Sequence, residues 1–168
     1  MQFIISICVI LMTGWMGCSS VIYESLRLDK SHSKVTSIIK PINEARARGF
    51  KCGNRYYRAT HPVAWNDKIA QASLYHSLDM AQNGFLSHKG TDGSDPGQRL
   101  LRADYKWSGY GEDIGQGYRT PEEAVQAWLK SETHCKNIMN PQFKEAGASY
   151  AKSDNQRTYW TLILGRQR

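Results

Sequence analysis

Residues 66–84, "NDKIAQASLYHSLDMAQNG", admit few structures. Asn66 supplies an N-cap, and Gly84 supplies the residue that ends a helix by turning left-handed. Between them Ile69, Ser73, His76 and Met80 recur at helical spacing, with Ala70, Ser77 and Ala81 alongside. The spacing predicts one long helix whose inner stripe is partly polar, with His76 pointing inward or at a cavity wall. An earlier helix is expected over 34–48, stopping at Gly49, with Pro41 either kinking it or marking its start. The stretch "SHKGTDGSDPGQRL", 87–100, is dense in Gly, Asp and Ser and reads as an ordered loop. Thr120, with Pro121 next and Glu123 three residues on, is a capping-box signature. The helix it opens buries Ala124, Val125, Trp128 and Leu129, and Asn140-Pro141 ends the helical stretch that follows. Last come "EAGASYAK" and "RTYWTLILG" around "SDNQ", the pattern of a β-hairpin. Helices first and a sheet assembled late imply an α+β domain.

A chain of 168 residues is about one domain's worth and can bury a real core. Its first charged side chain is Glu24, and the uncharged start contains "FIISICVILMTGWMG", an apolar run of signal-peptide length. That run is shorter than the roughly 18 to 20 residues a membrane span needs. It leads to Gly17-Cys18, a small residue then cysteine, which resembles a lipoprotein signal with Cys18 as the lipidated residue. The expected layout is a signal peptide over 1–18, a tether over 19–33 and a folded domain over 34–168. A plain cleaved leader or a retained anchor are the alternatives, and any membrane contact would run through this N-terminal segment.

The formal charge of +7 lies wholly outside residues 1–23. An exported basic domain is drawn to anionic cell-envelope components or lipid headgroups. Nucleic acid is excluded as a partner, because the basic residues are scattered and form no Lys/Arg-rich block. With Cys8 in the leader and Cys18 lipidated, Cys52 and Cys135 remain, and one exported pair most simply forms one disulfide.

His32 falls in the tether and His61 precedes a proline, both ordinary surface positions. His76, His88, Glu112 and His134 lie in structured sequence. Ser131 and His134 share a helical face and, with Glu112, could be read as a hydrolase triad. The G-x-S-x-G elbow is absent, though, and serine at a helix start is usually a cap. His88, Glu112 and His134 offer two imidazoles and a carboxylate, a suitable donor set for zinc, without an H-E-x-x-H pair to fix two of them on one helix. Cys135 does not join His134 on one ion easily, because neighbours on a helix project about 100° apart.

The blocks "INEARARG", "HSLDMAQNGFLSHKGTDGS", "GYGEDIGQG", "TPEEAVQAWLKSETHCKNIMNPQFKEAGASYA" and "YWTLILG" occur in the order found in the bacterial branch of the CAP superfamily. This is the group of cysteine-rich secretory proteins, antigen 5 and pathogenesis-related 1 proteins, also called the SCP domain. The resemblance covers about residues 36 to 165. It implies a three-layer α-β-α sandwich around a central antiparallel sheet, with a surface cavity whose histidines and acidic residues hold a divalent ion, often zinc, in some members. His88 matches the first cavity histidine, Glu112 the glutamate of the "GEN" block, and His134 the histidine of the bacterial "SPGH" block. Asp113 stands where the family usually has Asn. Tyr159 stands where animal and plant members carry their second cavity histidine. Their second glutamate falls near Ser131 or Glu132. His76 matches a recurrent helix histidine, for which a hydrogen-bonded structural role is expected, and the Cys52–Cys135 pairing recurs in relatives with both cysteines. The function implied is an exported binding module for a divalent metal and a small or lipid-like envelope ligand. The rival is a metal-dependent hydrolase, a peptidase or envelope-directed enzyme, with Glu112 as general base.

Overall fold

The computed structural model describes residues 35–168; the leader, Cys18 and the tether lie outside that range. The last strand organises everything else. β6 (Thr158–Gln167) pairs antiparallel with β5 (Glu145–Lys152) on one side and with β4 (Trp107–Gln116) on the other. The short β3 (Ala64–Trp65) adds to β5 in parallel, so the sheet runs β3-β5-β6-β4. The expected antiparallel sheet therefore carries one parallel pair at its edge. Every β6 residue from Thr158 to Gly165 is buried, which requires cover on both faces.

Side-chain alternation sends Trp160, Leu162 and Leu164 to one face and Tyr159, Thr161 and Ile163 to the other. Against the first face pack α1 (Ile39–Arg48), α4 (Pro121–Lys130) and α5 (Glu132–Ile138), bringing Ile42, Ala45, Ala124, Val125, Trp128 and Ile138 into one cluster. Against the second lie α2 (Asp67–Asn83) and α3 (Pro96–Arg102) with Ile69, Ala72 and Leu100. This is the three-layer α-β-α arrangement.

The caps of α2 are those its sequence specifies. Asn66 accepts from the backbone of Lys68 and Ile69, and Gly84 closes the helix at φ 67°. Ile69, Ser73, His76 and Met80 are all fully buried. The helix sits so close to β5 that a Cβ on Gly147 would strike the Ala70 backbone. Small polar side chains use that proximity: Ser73 Oγ lies 3.1 Å from Gly147 O, and Ser77 Oγ lies 2.9 Å from Thr161 Oγ1.

Three local expectations change. α1 begins at Ile39, which puts Pro41 in the first turn, where a missing N–H costs no helical bond. Part of 87–100 is helical: Asp95 and Gln98 form a reciprocal capping box, Pro96 follows the cap, and α3 runs to Arg102. At α4, Thr120 caps Glu123 N, but Glu123 accepts from Arg119 N instead of completing the box. A small hairpin of β1 (Phe50–Cys52) and β2 (Arg55–Tyr57) follows α1, and Cys52 is bonded to Cys135 of α5 across 83 residues.

Candidate functional site

β4 is an edge strand, and consecutive residues on it face opposite layers. Glu112 turns toward α3 and the loop after α2, whereas Asp113 turns toward α5. Glu112 is buried and holds two partners. Its Oε1 lies 2.8 Å from His88 Nδ1, and its Oε2 accepts from Arg99 Nη2 at 2.7 Å. Arg99 is itself buried, so the carboxylate and guanidinium form an ion pair withdrawn from water. Such a pair is costly to assemble and costly to break, because either member alone leaves an uncompensated buried charge.

His88 sits in the loop after α2, and two adjacent carbonyls of that loop are anchored from different helices. His76 Nε2 of α2 lies 2.8 Å from Ser87 O, and Arg99 Nη2 of α3 donates to His88 O at 3.1 Å. Asp79 of α2 adds bonds to Thr91 N at 2.9 Å and Thr91 Oγ1 at 2.6 Å. The imidazole itself is 55% exposed at the side chain while its carboxylate partner is 2% exposed. Because Glu112 accepts at Nδ1, that nitrogen carries hydrogen, and a neutral ring presents the Nε2 lone pair outward.

His134 on α5 is half-buried and lies close enough to His88 for their charges to interact. Burial pushes its imidazole below the ordinary value, and His88 adds to the shift. The disulfide occupies another face of the same helix turn, with Cys135 fully buried. Adjacent His and Cys thus serve separate faces.

The remaining expected residues disperse. His76 is fully buried, and burial lowers its pKa, with Glu112 opposing and Arg99 reinforcing that shift. Asp113 accepts from Asn137 Nδ2 at 2.7 Å on the far side of the strand. Ser131 separates α4 from α5 without a side-chain cap bond. Glu132 is exposed and pairs with Lys136 at 2.6 Å. Tyr159 packs among Met80, Ala81, Ile114 and Ala151 in the core.

Each oxygen of Glu112 already holds one partner, His88 on one and Arg99 on the other. Among the described residues no three His, Cys, Asp or Glu side chains are grouped to hold a metal. Of the expected donors this leaves two imidazoles, His88, whose tautomer Glu112 fixes from behind, and His134. Sequence reasoning missed Arg99, which holds the other half of Glu112. Its signal was the Asp95-Pro96-Gly97-Gln98 start of a short helix, which would have placed Arg99 beside Leu100 on a buried turn.

The sequence model of the cysteine-rich secretory protein family, CAP, matches residues 39–164. An uncharacterized protein of Bacillus subtilis, YkwD, is 30% identical over 107 residues, covering 64% of this chain and 40% of that protein. The chain thus spans well under half of that relative's length. An extracellular protein from Bacillus anthracis containing an SCP domain superposes with TM-score 0.68 at 28% identity, over 82% of this chain and 41% of the other. An outer surface protein of Borrelia burgdorferi superposes equally well, TM-score 0.68, at 18% identity over 81% and 94% of the two chains.

Proposed function

Since this chain belongs to the cysteine-rich secretory protein (CAP) family, in its bacterial form, we propose that it is an exported binding module whose His88–His134 face takes a divalent cation together with a small envelope-derived ligand. The observation that carries this reading is the ordered chain Arg99–Glu112–His88. A buried ion pair fixes one nitrogen of an exposed imidazole and leaves the other free of that bond, on a ring whose charge reaches a second imidazole, His134. Carboxylate-backed histidines of this kind are oriented and basic, which favours metal ligation. Two imidazoles would hold the ion, with solvent or ligand oxygens completing its shell, and the bound cation would supply a positive anchor for an anionic or carbonyl group. A solved structure of NaASP2 is described with Zn2+ and shares this fold at 16% identity and TM-score 0.53, which makes zinc the natural probe.

Export accords with the apolar start of the chain, and no described helix is long and apolar enough to cross a membrane. The charge of +7 favours anionic envelope or lipid-like partners. Hydrolysis with Glu112 as general base is the weaker reading, because its side chain is 2% exposed, with one oxygen turned to Arg99 and the other to His88, which leaves a reacting water no open approach. Calorimetric titration of the chain with zinc is the test. His88→Ala and His134→Ala should each lower affinity by about tenfold or more. Zinc binding indifferent to both substitutions overturns the reading, and chelator-sensitive turnover of envelope fragments would favour the hydrolase.

A further inference from the structure

Arg99 has a second environment. Together with α2 and the loop leading to α3 it walls a cavity of about 450 Å3, which none of His88, Glu112 and His134 lines. That size is in the range of small-ligand pockets, roughly 300–1,000 Å3. Two of its wall residues are withdrawn from solvent, His76 completely and Arg99 to 4% exposure. Each brings a polar atom with no partner among the described residues, His76 Nδ1 and Arg99 Nε. Buried polar atoms are nearly always paired, so two orphans on residues that line one cavity call for an explanation.

Their chemistry specifies what would satisfy them. His76 Nε2 faces the Ser87 carbonyl and therefore carries hydrogen. In the neutral ring, the form burial favours, Nδ1 is then a lone-pair acceptor. Arg99 Nε is a donor only. A ligand meeting both must bring a donor to one and an acceptor to the other, as hydroxyls do. A carboxylate or phosphate oxygen would set lone pair against lone pair at His76, and an ammonium would face the Arg99 cation. The wall also holds Asp79 and Asp92 against Arg99 and Arg102, two carboxylates and two guanidiniums, so its formal charge cancels. Thr91 and Ser94 add hydroxyls. Tyr75, 52% exposed, offers a flat ring suited to the apolar C–H face of a sugar.

We propose that this cavity binds a neutral polyhydroxylated ligand of monosaccharide size, either a free sugar or the terminal unit of a glycan. The proposal is independent of the imidazole pair, and a failed zinc titration leaves it standing. The test follows backbone amide NMR shifts of the chain during titration with glucose, with a disaccharide of N-acetylglucosamine, and with inorganic phosphate. Saturable shifts at Tyr75, Thr91 and Arg102 are expected with a sugar and not with phosphate. Saturation by glucose assigns a free sugar, and saturation by the disaccharide alone assigns a glycan end. Tyr75→Ala, at an exposed position, should weaken binding about tenfold or more. His76→Phe should abolish it, with the thermal midpoint checking that the variant folds. Absence of saturable shifts with either sugar would mean a cavity that holds only water, and overturns the proposal. So does preference for phosphate, or sugar binding unchanged by Tyr75→Ala.

Discussion

The two faces of the sheet bury a cation each, and they satisfy it in opposite ways. On the face covered by α1, α4 and α5, Arg46 donates from all three nitrogens to backbone carbonyls, those of His61, Ile138, Asn140 and Phe143. It has no carboxylate partner among the described residues, and burial pushes its pKa down to about 10. The same face buries Trp128, Trp160 and the aliphatic cluster. On the face covered by α2 and α3, Arg99 is paired with Glu112, and one of its nitrogens has no partner among the described residues. The same face buries the polar side chains Ser73, His76, Ser77 and Thr161. One face spends its polar valence on holding loops together. The other keeps valence spare and passes order to an exposed histidine, which is where recognition chemistry can be built.

The disulfide tests the first half of this contrast and should give the largest effect. Replacing Cys52 and Cys135 by Ser opens a loop of 83 residues' separation, costing about 4.5 kcal/mol in the loop-entropy model. Urea unfolding measures it. The folded fraction should retain zinc and sugar affinities within about twofold, since neither donor set includes the staple. A large loss of affinity in the folded protein would join the two faces that the geometry separates.

Glu112→Gln tests the other half. It leaves Arg99 charged and buried without a counter-charge, and should cost about 3 kcal/mol in urea unfolding. Removing both charges, as Arg99→Met with Glu112→Leu, should recover most of that loss, because an apolar pair needs no desolvation. A double variant as unstable as Glu112→Gln would show that the carboxylate matters through packing and not through charge.

How far the sequence carried these conclusions differs between the faces. α2, α4 and the terminal hairpin were legible because caps and apolar spacing are local signals, and Asn66, Gly84 and Thr120 act at the positions expected of them. The edge pairing of β3 with β5 was not, since two residues carry no period. α3 was hidden in a run of loop-forming residues, although its Asp95–Gln98 box was written there. At the site, His88, Glu112 and His134 were found through family motifs. Arg99 was not, because a lone arginine in a short helix looks solvated until tertiary structure buries it. Strand alternation could have separated Glu112 from Asp113, had β4 been read as a strand.

His76 gives a smaller, pH-dependent effect on the polar face. Burial lowers its pKa from the ordinary 6.5; Glu112, Asp79 and the Ser87 carbonyl oppose this, while Arg99 reinforces it. The folded state therefore binds this proton less tightly than the unfolded chain. The His76 contribution is complete above about pH 6.5 and is lost as pH falls below it, at up to about 1.4 kcal/mol per pH unit. His76→Phe should flatten the dependence of unfolding free energy between pH 6.5 and 5. An unchanged slope in that variant assigns the titration elsewhere.

Asp113 carries the same logic to the apolar face with the opposite sign. Its side chain is fully buried, Oδ1 accepts from Asn137, and Oδ2 has no partner among the described residues. Burial raises its pKa well above the ordinary 3.8, the Asn137 bond opposes the shift, and the charge of Glu112 on the next residue adds to it. Here the folded state holds the proton more tightly than the unfolded chain, so stability falls as pH rises from about 3.8 toward the folded pKa. Asp113→Asn keeps the volume and the Asn137 contact while removing the ionisation. It should stabilise the domain at pH 8 by on the order of 1 kcal/mol and leave it unchanged at pH 4. An equal gain at both pH values would trace the effect to the amide's hydrogen bonds, and a loss at pH 8 would mean that the buried carboxylate is favourably held. In either case the backbone amide NMR signal of His88 should not move, because the side chains of Asp113 and Glu112, though neighbours on one strand, face different layers.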